Sequence, residues 1–124
     1  PTTSQHAAIE AMRYGDTDVE VMRDSYMARR NFITNGFNKL GLDTFLPQGA
    51  FYVFPCIKST GLTSDEFCEQ LLQSQKVACV PGSAFGKAGE GFIRVSYAYS
   101  IEHIKEALGR IEAFLNELNA KKEG

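Results

Sequence analysis

Apolar residues recur along this chain with two different periods. Near the C-terminal end Ile101, Ile104, Leu108, Ile111, Leu115 and Leu118 fall at spacings of 3, 4, 3, 4 and 3. That rhythm places them on one face of a helix, with Ser100 as its cap. Earlier, Val19, Met22, Tyr26, Ile33, Phe37 and Leu40 project within about 60° of arc when each residue advances about 100°. A helix over 18–39 is about 30 Å long at about 1.5 Å per residue. This exceeds what a small domain needs for itself, and a helix of that length often bridges two bodies. Thr17-Asp18-Val19-Glu20 has the spacing of a capping box to start it. Gly36 is its weak point and Gly41 its expected stop. A shorter Ala-rich helix over 3–12, capped by Thr3 or Ser4, precedes it and breaks at Tyr14-Gly15-Asp16.

After Gly41 the helical period disappears. Residues 42–46 read as a short strand ending at the Pro47-Gln48-Gly49 turn, and 50–54, rich in aromatic and β-branched residues, as a second. Thr63-Ser64-Asp65-Glu66 is another capping box, opening a helix that turns Phe67, Leu71 and Leu72 inward. Residues 77–80 and 92–97 read as two further strands. The pattern predicts an α/β fold: a small mixed sheet of about four short strands with helices packed on it, preceded by the long helix.

Composition narrows the function. With 124 residues, 44% of them apolar, the chain is one domain with a real core, too short for most complete metabolic enzymes. Lys plus Arg at 13 against Asp plus Glu at 15 leaves 13 − 15 = −2. That charge offers no electrostatic footprint for nucleic acid or an anionic membrane. No apolar run approaches the roughly 18 residues of a membrane span, and no leader-like segment opens the chain. Cys56, Cys68 and Cys79 are far apart in sequence and form no C-x-x-C pair. This argues against a disulfide framework or a zinc knuckle and for a soluble cytoplasmic protein in a reducing compartment.

Few side chains invite chemistry. The glycines of 82–91 suggest a phosphate cradle, yet they lead into a strand rather than a helix N-terminus. Ser83 has no His or Asp at a spacing that suggests a nucleophile and base, and His6 and His103 read as surface or capping residues. No His, Cys or carboxylate cluster has metal-ligand spacing. Arg29 and Arg30 flank the long helix's stripe as a solvated or interdomain-facing pair. Arg94 differs. In Phe92-Ile93-Arg94-Val95-Ser96-Tyr97 the alternation sets it on one face with Phe92 and Ser96, while Ile93, Val95 and Tyr97 face the other way. A guanidinium in mid-strand can hold a carboxylate through two parallel N–H bonds. A plain surface Arg or a structural ion pair fits the same spacing.

Three segments in order now resemble a known family. They are Pro47-Gln48-Gly49-Ala50-Phe51-Tyr52-Val53-Phe54-Pro55, then Val77-Ala78-Cys79-Val80-Pro81-Gly82-Ser83-Ala84-Phe85-Gly86, then Gly89-Glu90-Gly91-Phe92-Ile93-Arg94-Val95-Ser96-Tyr97-Ala98. Together they resemble the C-terminal part of class I, fold-type I pyridoxal-phosphate aminotransferases, closest to the aspartate/aromatic subgroup. Pro1-Thr2-Thr3-Ser4-Gln5 also resembles a segment found there shortly after the cofactor-bearing lysine.

The resemblance implies a homodimeric enzyme that moves an amino group from an aspartate-like or aromatic amino acid to a 2-oxo acid, with Arg94 binding the substrate α-carboxylate. It implies that Gly49-Ala50-Phe51 and Pro81-Gly82-Ser83 line the mouth of the site. Residues 1–16 then link to a large domain, 17–41 form the interdomain helix, and 42–124 form the C-terminal small domain. The family's Schiff-base lysine sits in a Ser-x-x-Lys segment, and none of Lys39, Lys58, Lys76, Lys87, Lys105, Lys121 and Lys122 has that context. The chain is therefore expected to hold no catalytic or cofactor-binding residue and to be inactive alone. The alternative is a non-catalytic binding or dimerisation domain that reuses this fold.

Overall fold

A computed structural model describes residues 1–123; Gly124, the last residue of the expected 42–124 unit, lies outside them. Four helices, α1 (Thr2–Tyr14), α2 (Asp16–Lys39), α3 (Ser64–Gln75) and α4 (Ile101–Glu123), accompany three short strands, β1 (Tyr52–Val53), β2 (Val80–Pro81) and β3 (Ile93–Ser96). The α/β architecture is the expected one. The sheet is smaller than expected and antiparallel rather than mixed, in the order β1-β3-β2, with Tyr52 opposite Ser96, Val53 opposite Val95, Val80 opposite Arg94 and Pro81 opposite Ile93.

Residues 42–46 do not join the sheet. Their alternation is real, since Leu42 and Thr44 are buried between exposed neighbours. A single backbone bond, from Cys56 N–H to the Asp43 carbonyl at 2.9 Å, ties them to the chain after β1, and at Thr44 a side chain takes the backbone instead: Asn38 Nδ2 donates to the Thr44 carbonyl at 3.0 Å, and the Thr44 amide donates to Asn38 Oδ1 at 2.8 Å. One carboxamide thus supplies the donor and acceptor that a neighbouring strand would have offered. Residues 50–54 and 77–80 likewise carry ladder pairing only at Tyr52–Val53 and from Val80 onward.

The two N-terminal helices meet at Gly15, whose φ of −84° and ψ of −2° keep it near helical geometry. Its N–H donates to the Ala11 carbonyl at 2.8 Å, and its own carbonyl accepts from Val19 N–H at 3.0 Å. With helix on both sides, Thr17 lies inside α2 and the expected Thr17–Glu20 box is not formed; the start likewise falls at Thr2 rather than after a Thr3 or Ser4 cap. The second box is formed in full. Glu66 N–H donates to Thr63 Oγ1 at 3.3 Å, and Thr63 N–H donates to Glu66 Oε2 at 2.9 Å. The Thr63 N–H bond, and after it a bond from the Thr63 hydroxyl to the same Oε2 at 2.8 Å, hold the Glu66 carboxyl below its ordinary value of 4.5.

The core lies between the sheet and the helices. Ile33 and Phe37 of α2, Phe67 and Leu71 of α3, Ile104, Ile111, Phe114 and Leu118 of α4, and Val53, Ile93 and Tyr97 around the sheet are all buried. Phe114, absent from the expected helix face, stands edge-on to Phe67 at 5.2 Å. With Phe67, Cys68 and Leu71 on the buried face of α3, Leu72 falls beyond the edge of that face and is 48% exposed. At the other end of α2, Val19 and Met22 are more than half exposed, so the apolar stripe is core at one end and bare at the other. Among the described residues no helix is long and apolar enough to cross a membrane.

Close backbone contact shapes the turn after β2. A Cβ at Gly82 would overlap the carbonyl oxygens of Gly89 and Phe92, and one at Gly89 would overlap that of Gly82. Gly82→Ala should therefore cost about 2 kcal/mol in urea unfolding, as overpacking against backbone does. Gly109→Ala, on α4 with open space where its Cβ would go, should instead stabilise by about 0.5–1 kcal/mol. Equal effects from the two substitutions would contradict this packing.

Candidate functional site

Arg94 sits in the middle of the central strand, so its neighbours come from both flanks. On one side Tyr52 of β1 pairs with Ser96 and shares Arg94's face, two residues along. On the other, β2 runs through Pro81 into a 3₁₀ turn over Gly82–Phe85. The guanidinium carbon stands 4.5 Å from the centroid of the Tyr52 ring and 4.6 Å from that of Phe85. Phe54 backs Phe85 edge-on at 5.8 Å.

This arrangement holds the cation without consuming its donors. A ring attracts a guanidinium through its π-face, at about 0.5–2 kcal/mol per contact. The N–H bonds lie in the guanidinium plane and stay free of it. Among the described residues the arginine side chains in hydrogen bonds are Arg23, Arg30 and Arg110, and the ion pairs are Arg23–Asp24 and Arg110–Glu106. Arg94 is in neither set. A half-buried, uncommitted fork of this kind fits a planar carboxylate better than an ammonium would.

The Gly49-Ala50-Phe51 turn is fastened from behind. Ala50 takes a φ of +61°, a conformation uncommon for a residue with a Cβ. Tyr97, buried on the opposite face of β3, donates its hydroxyl proton to the Ala50 carbonyl at 2.7 Å. Burial pushes the Tyr97 phenol above its ordinary value of 10.0. Arg30 Nη1 donates to the Pro47 carbonyl at 3.2 Å, and Arg29 lies 5.4 Å over the Tyr26 ring, itself 6.4 Å from Phe51. Arg30 thus braces the turn directly, while Arg29 packs on the α2 ring that faces Phe51.

The Pro81-Gly82-Ser83 segment is held by α3. Ser83 donates to Asp65 Oδ2 at 2.9 Å. Ser64, fully buried, donates to the Phe92 carbonyl and accepts from Gly91 N–H, both at 2.9 Å, while its own N–H donates to Glu90 Oε1 at 2.8 Å. Ser83 therefore serves this tether. His103 Nδ1 lies 3.2 Å from Ser100 Oγ, at the start of α4, and His6 is exposed on α1. Among the described residues no group of three His, Cys, Asp or Glu side chains could hold a metal ion.

Sequence reasoning missed the two rings around Arg94 and the pairing of Cys68 with Cys79, whose sulfurs lie 3.4 Å apart. An aromatic residue in a glycine-rich turn, half-exposed as Phe85 is, was the available signal for the first. Sequence separation hid the second.

Comparison with known proteins places these features in a family. The profile of the family described as "Aminotransferase class I and II" matches residues 1–111. The aspartate aminotransferase of Pyrococcus abyssi is 52% identical over 118 residues, which are 94% of this chain and 30% of that protein. The aromatic-amino-acid aminotransferase 2 of Thermococcus litoralis is 49% identical, with the same coverage. Among solved structures, the aromatic aminotransferase from Pyrococcus horikoshii superposes with a TM-score of 0.80 at 51% identity, over 82% of this chain and 27% of that one. The chain thus spans about 30% of the length of these curated relatives.

The bond from Tyr97 to Ala50 sets an expected outcome. Tyr97→Phe should cost about 1 kcal/mol at neutral pH, the usual worth of one such bond. Because the folded phenol sits above 10.0, its contribution is complete below that value and is lost as pH rises through the higher folded one. Wild type should therefore lose its advantage over Tyr97→Phe on the alkaline side, read from urea midpoints in a pH series. A difference that is constant with pH would show that burial does not govern this phenol.

Proposed function

We propose that this chain, which belongs to the class I and II aminotransferase family, is the C-terminal small domain of a pyridoxal-phosphate-dependent aminotransferase in which Arg94 binds the α-carboxylate of the amino acid and of the 2-oxo acid. The observation that carries this reading is the uncommitted guanidinium between Tyr52 and Phe85. Residues 1–16 link to a large domain, 17–41 bridge the two, and 42–124 are the small domain. Relatives named for aspartate and for aromatic amino acids support those two substrate classes, and we take the whole enzyme to be a cytoplasmic homodimer.

The described residues do not fit the cofactor. Lys58 Nζ lies 5.1 Å over the Phe92 ring, and Lys76 donates to the Gln73 carbonyl at 2.8 Å. None of the described lysines stands in the Ser-x-x-Lys context of the family's Schiff-base lysine. In the proposed enzyme the amino-group chemistry therefore resides outside this chain. What the chain contributes is orientation: two parallel N–H bonds from Arg94 fix the carboxylate, and with it the direction of the substrate's Cα–H. Correct orientation is worth several kcal/mol in such reactions.

In the full-length enzyme Arg94→Lys should raise KM for amino acid and oxo acid together, by about 100-fold for the loss of a bidentate pair. Arg94→Ala should raise both further. Unchanged constants for both substrates would overturn the role. The chain by itself should not develop a stoichiometric, lysine-dependent yellow colour with pyridoxal phosphate; such a band, lost on replacing one lysine, would overturn the assignment of the cofactor to the rest of the enzyme.

A further inference from the structure

Cys68 and Cys79 meet where α3 crosses the segment entering β2. Their sulfurs lie 3.4 Å apart, and a disulfide needs about 2.05 Å, so an approach of about 1.4 Å would close one. Cys68 is buried and Cys79 half-buried. Cys79 also lines a cavity of about 550 Å³ between α2, α4 and the sheet, which brings a small oxidant to the pair on the Cys79 side, with the Cys68 sulfur 3.4 Å behind. Among the described residues no third ligand joins the pair, so a metal does not account for it.

We propose that Cys68 and Cys79 are a two-electron redox pair that closes to a disulfide with hydrogen peroxide and reopens with a small thiol, stapling α3 to β2. This reading is independent of the role of Arg94. The Cys79 S–H lowers the Cys68 thiol from its usual range, and Cys79 itself is held protonated, which sets the order of events. The Cys68 thiolate attacks one peroxide oxygen, the O–O bond breaks, and the departing hydroxide takes a proton to become water, leaving a sulfenic acid. Cys79 sulfur then attacks the Cys68 sulfur; the S–O bond breaks and the hydroxide leaves with the Cys79 proton as a second water. Two thiols and one peroxide thus become one disulfide and two waters. Two small thiols reverse it, leaving as their own disulfide.

The third cysteine is an internal standard. Cys56 lies 68 − 56 = 12 residues from Cys68, while Cys79 lies 79 − 68 = 11 away, so an unfolded chain closes either loop at nearly the same cost. The native 124-residue chain is treated with hydrogen peroxide, free thiols are alkylated, and linked peptides are mapped by mass spectrometry. The expected result is a Cys68–Cys79 link with Cys56 alkylated, removed by dithiothreitol, against a mixture of links when the same chain is oxidised in urea. The oxidised native chain should also melt at least about 5 °C higher, a gain absent from Cys79→Ala and kept by Cys56→Ser. A native mixture of links, sulfinic acid without any link, or a link without the thermal gain would each overturn the proposal. The wild-type map requires no variant to fold.

Discussion

Gly82 and Gly89 approach until neither has room for a Cβ, and much of the rest of the structure follows from that contact. It doubles the chain back sharply between β2 and β3. The Gly82 N–H then reaches the Phe92 carbonyl at 2.8 Å, closing the loop at its base. Ser64 locks the same point from the helix side by bonding both the Phe92 carbonyl and the Gly91 amide. With its base fixed twice, the turn cannot carry Phe85 away from β3. A loop whose glycines would otherwise make it the most mobile part of the chain becomes a rigid wall.

That rigidity addresses an electrostatic problem. A half-buried cation normally recruits a carboxylate, and a recruited carboxylate would occupy the donors that a ligand needs. Two aromatic rings stabilise the guanidinium by a route that uses no N–H bond. Their geometry comes from different sources: Tyr52 from strand register, Phe85 from the glycine contact. The positive φ at Ala50, fastened by Tyr97, adjoins the first of these. The site is thus assembled from three separately braced pieces around one short strand.

The legible parts of the sequence were those decided by nearest neighbours along the chain. The spacing from Ile101 to Leu118 defined α4, and Thr63 with Glu66 defined the start of α3, because each signal is complete within a few residues. Alternation through 92–97 put Arg94 on the right face for the same reason. Thr17 and Glu20 carry an equally good local signal, but Gly15 stays helical and leaves that cap nothing to satisfy. Residues 42–46 alternate like a strand, and only the fold reveals that the Asn38 carboxamide claims both backbone groups of Thr44. The rings around Arg94 and the sulfur pair depend on how β1 registers with β3 and where α3 crosses β2. Such contacts join residues far apart in sequence, and no local pattern encodes them.

The uneven stripe on α2 has a mechanical meaning. Phe37 is sunk in the core and Gly36 beside it lies against Leu108 of α4 with no side chain between, so this end of the helix is a fulcrum. Val19 stands 37 − 19 = 18 residues away, about 27 Å along the axis. A tilt of about 5° at the Gly36–Leu108 contact would sweep the Val19 end through about 2 Å at that radius. Geometrically α2 is a lever arm: a repacking at its anchored end too small to disturb the sheet would displace its far end by more than the length of a covalent bond.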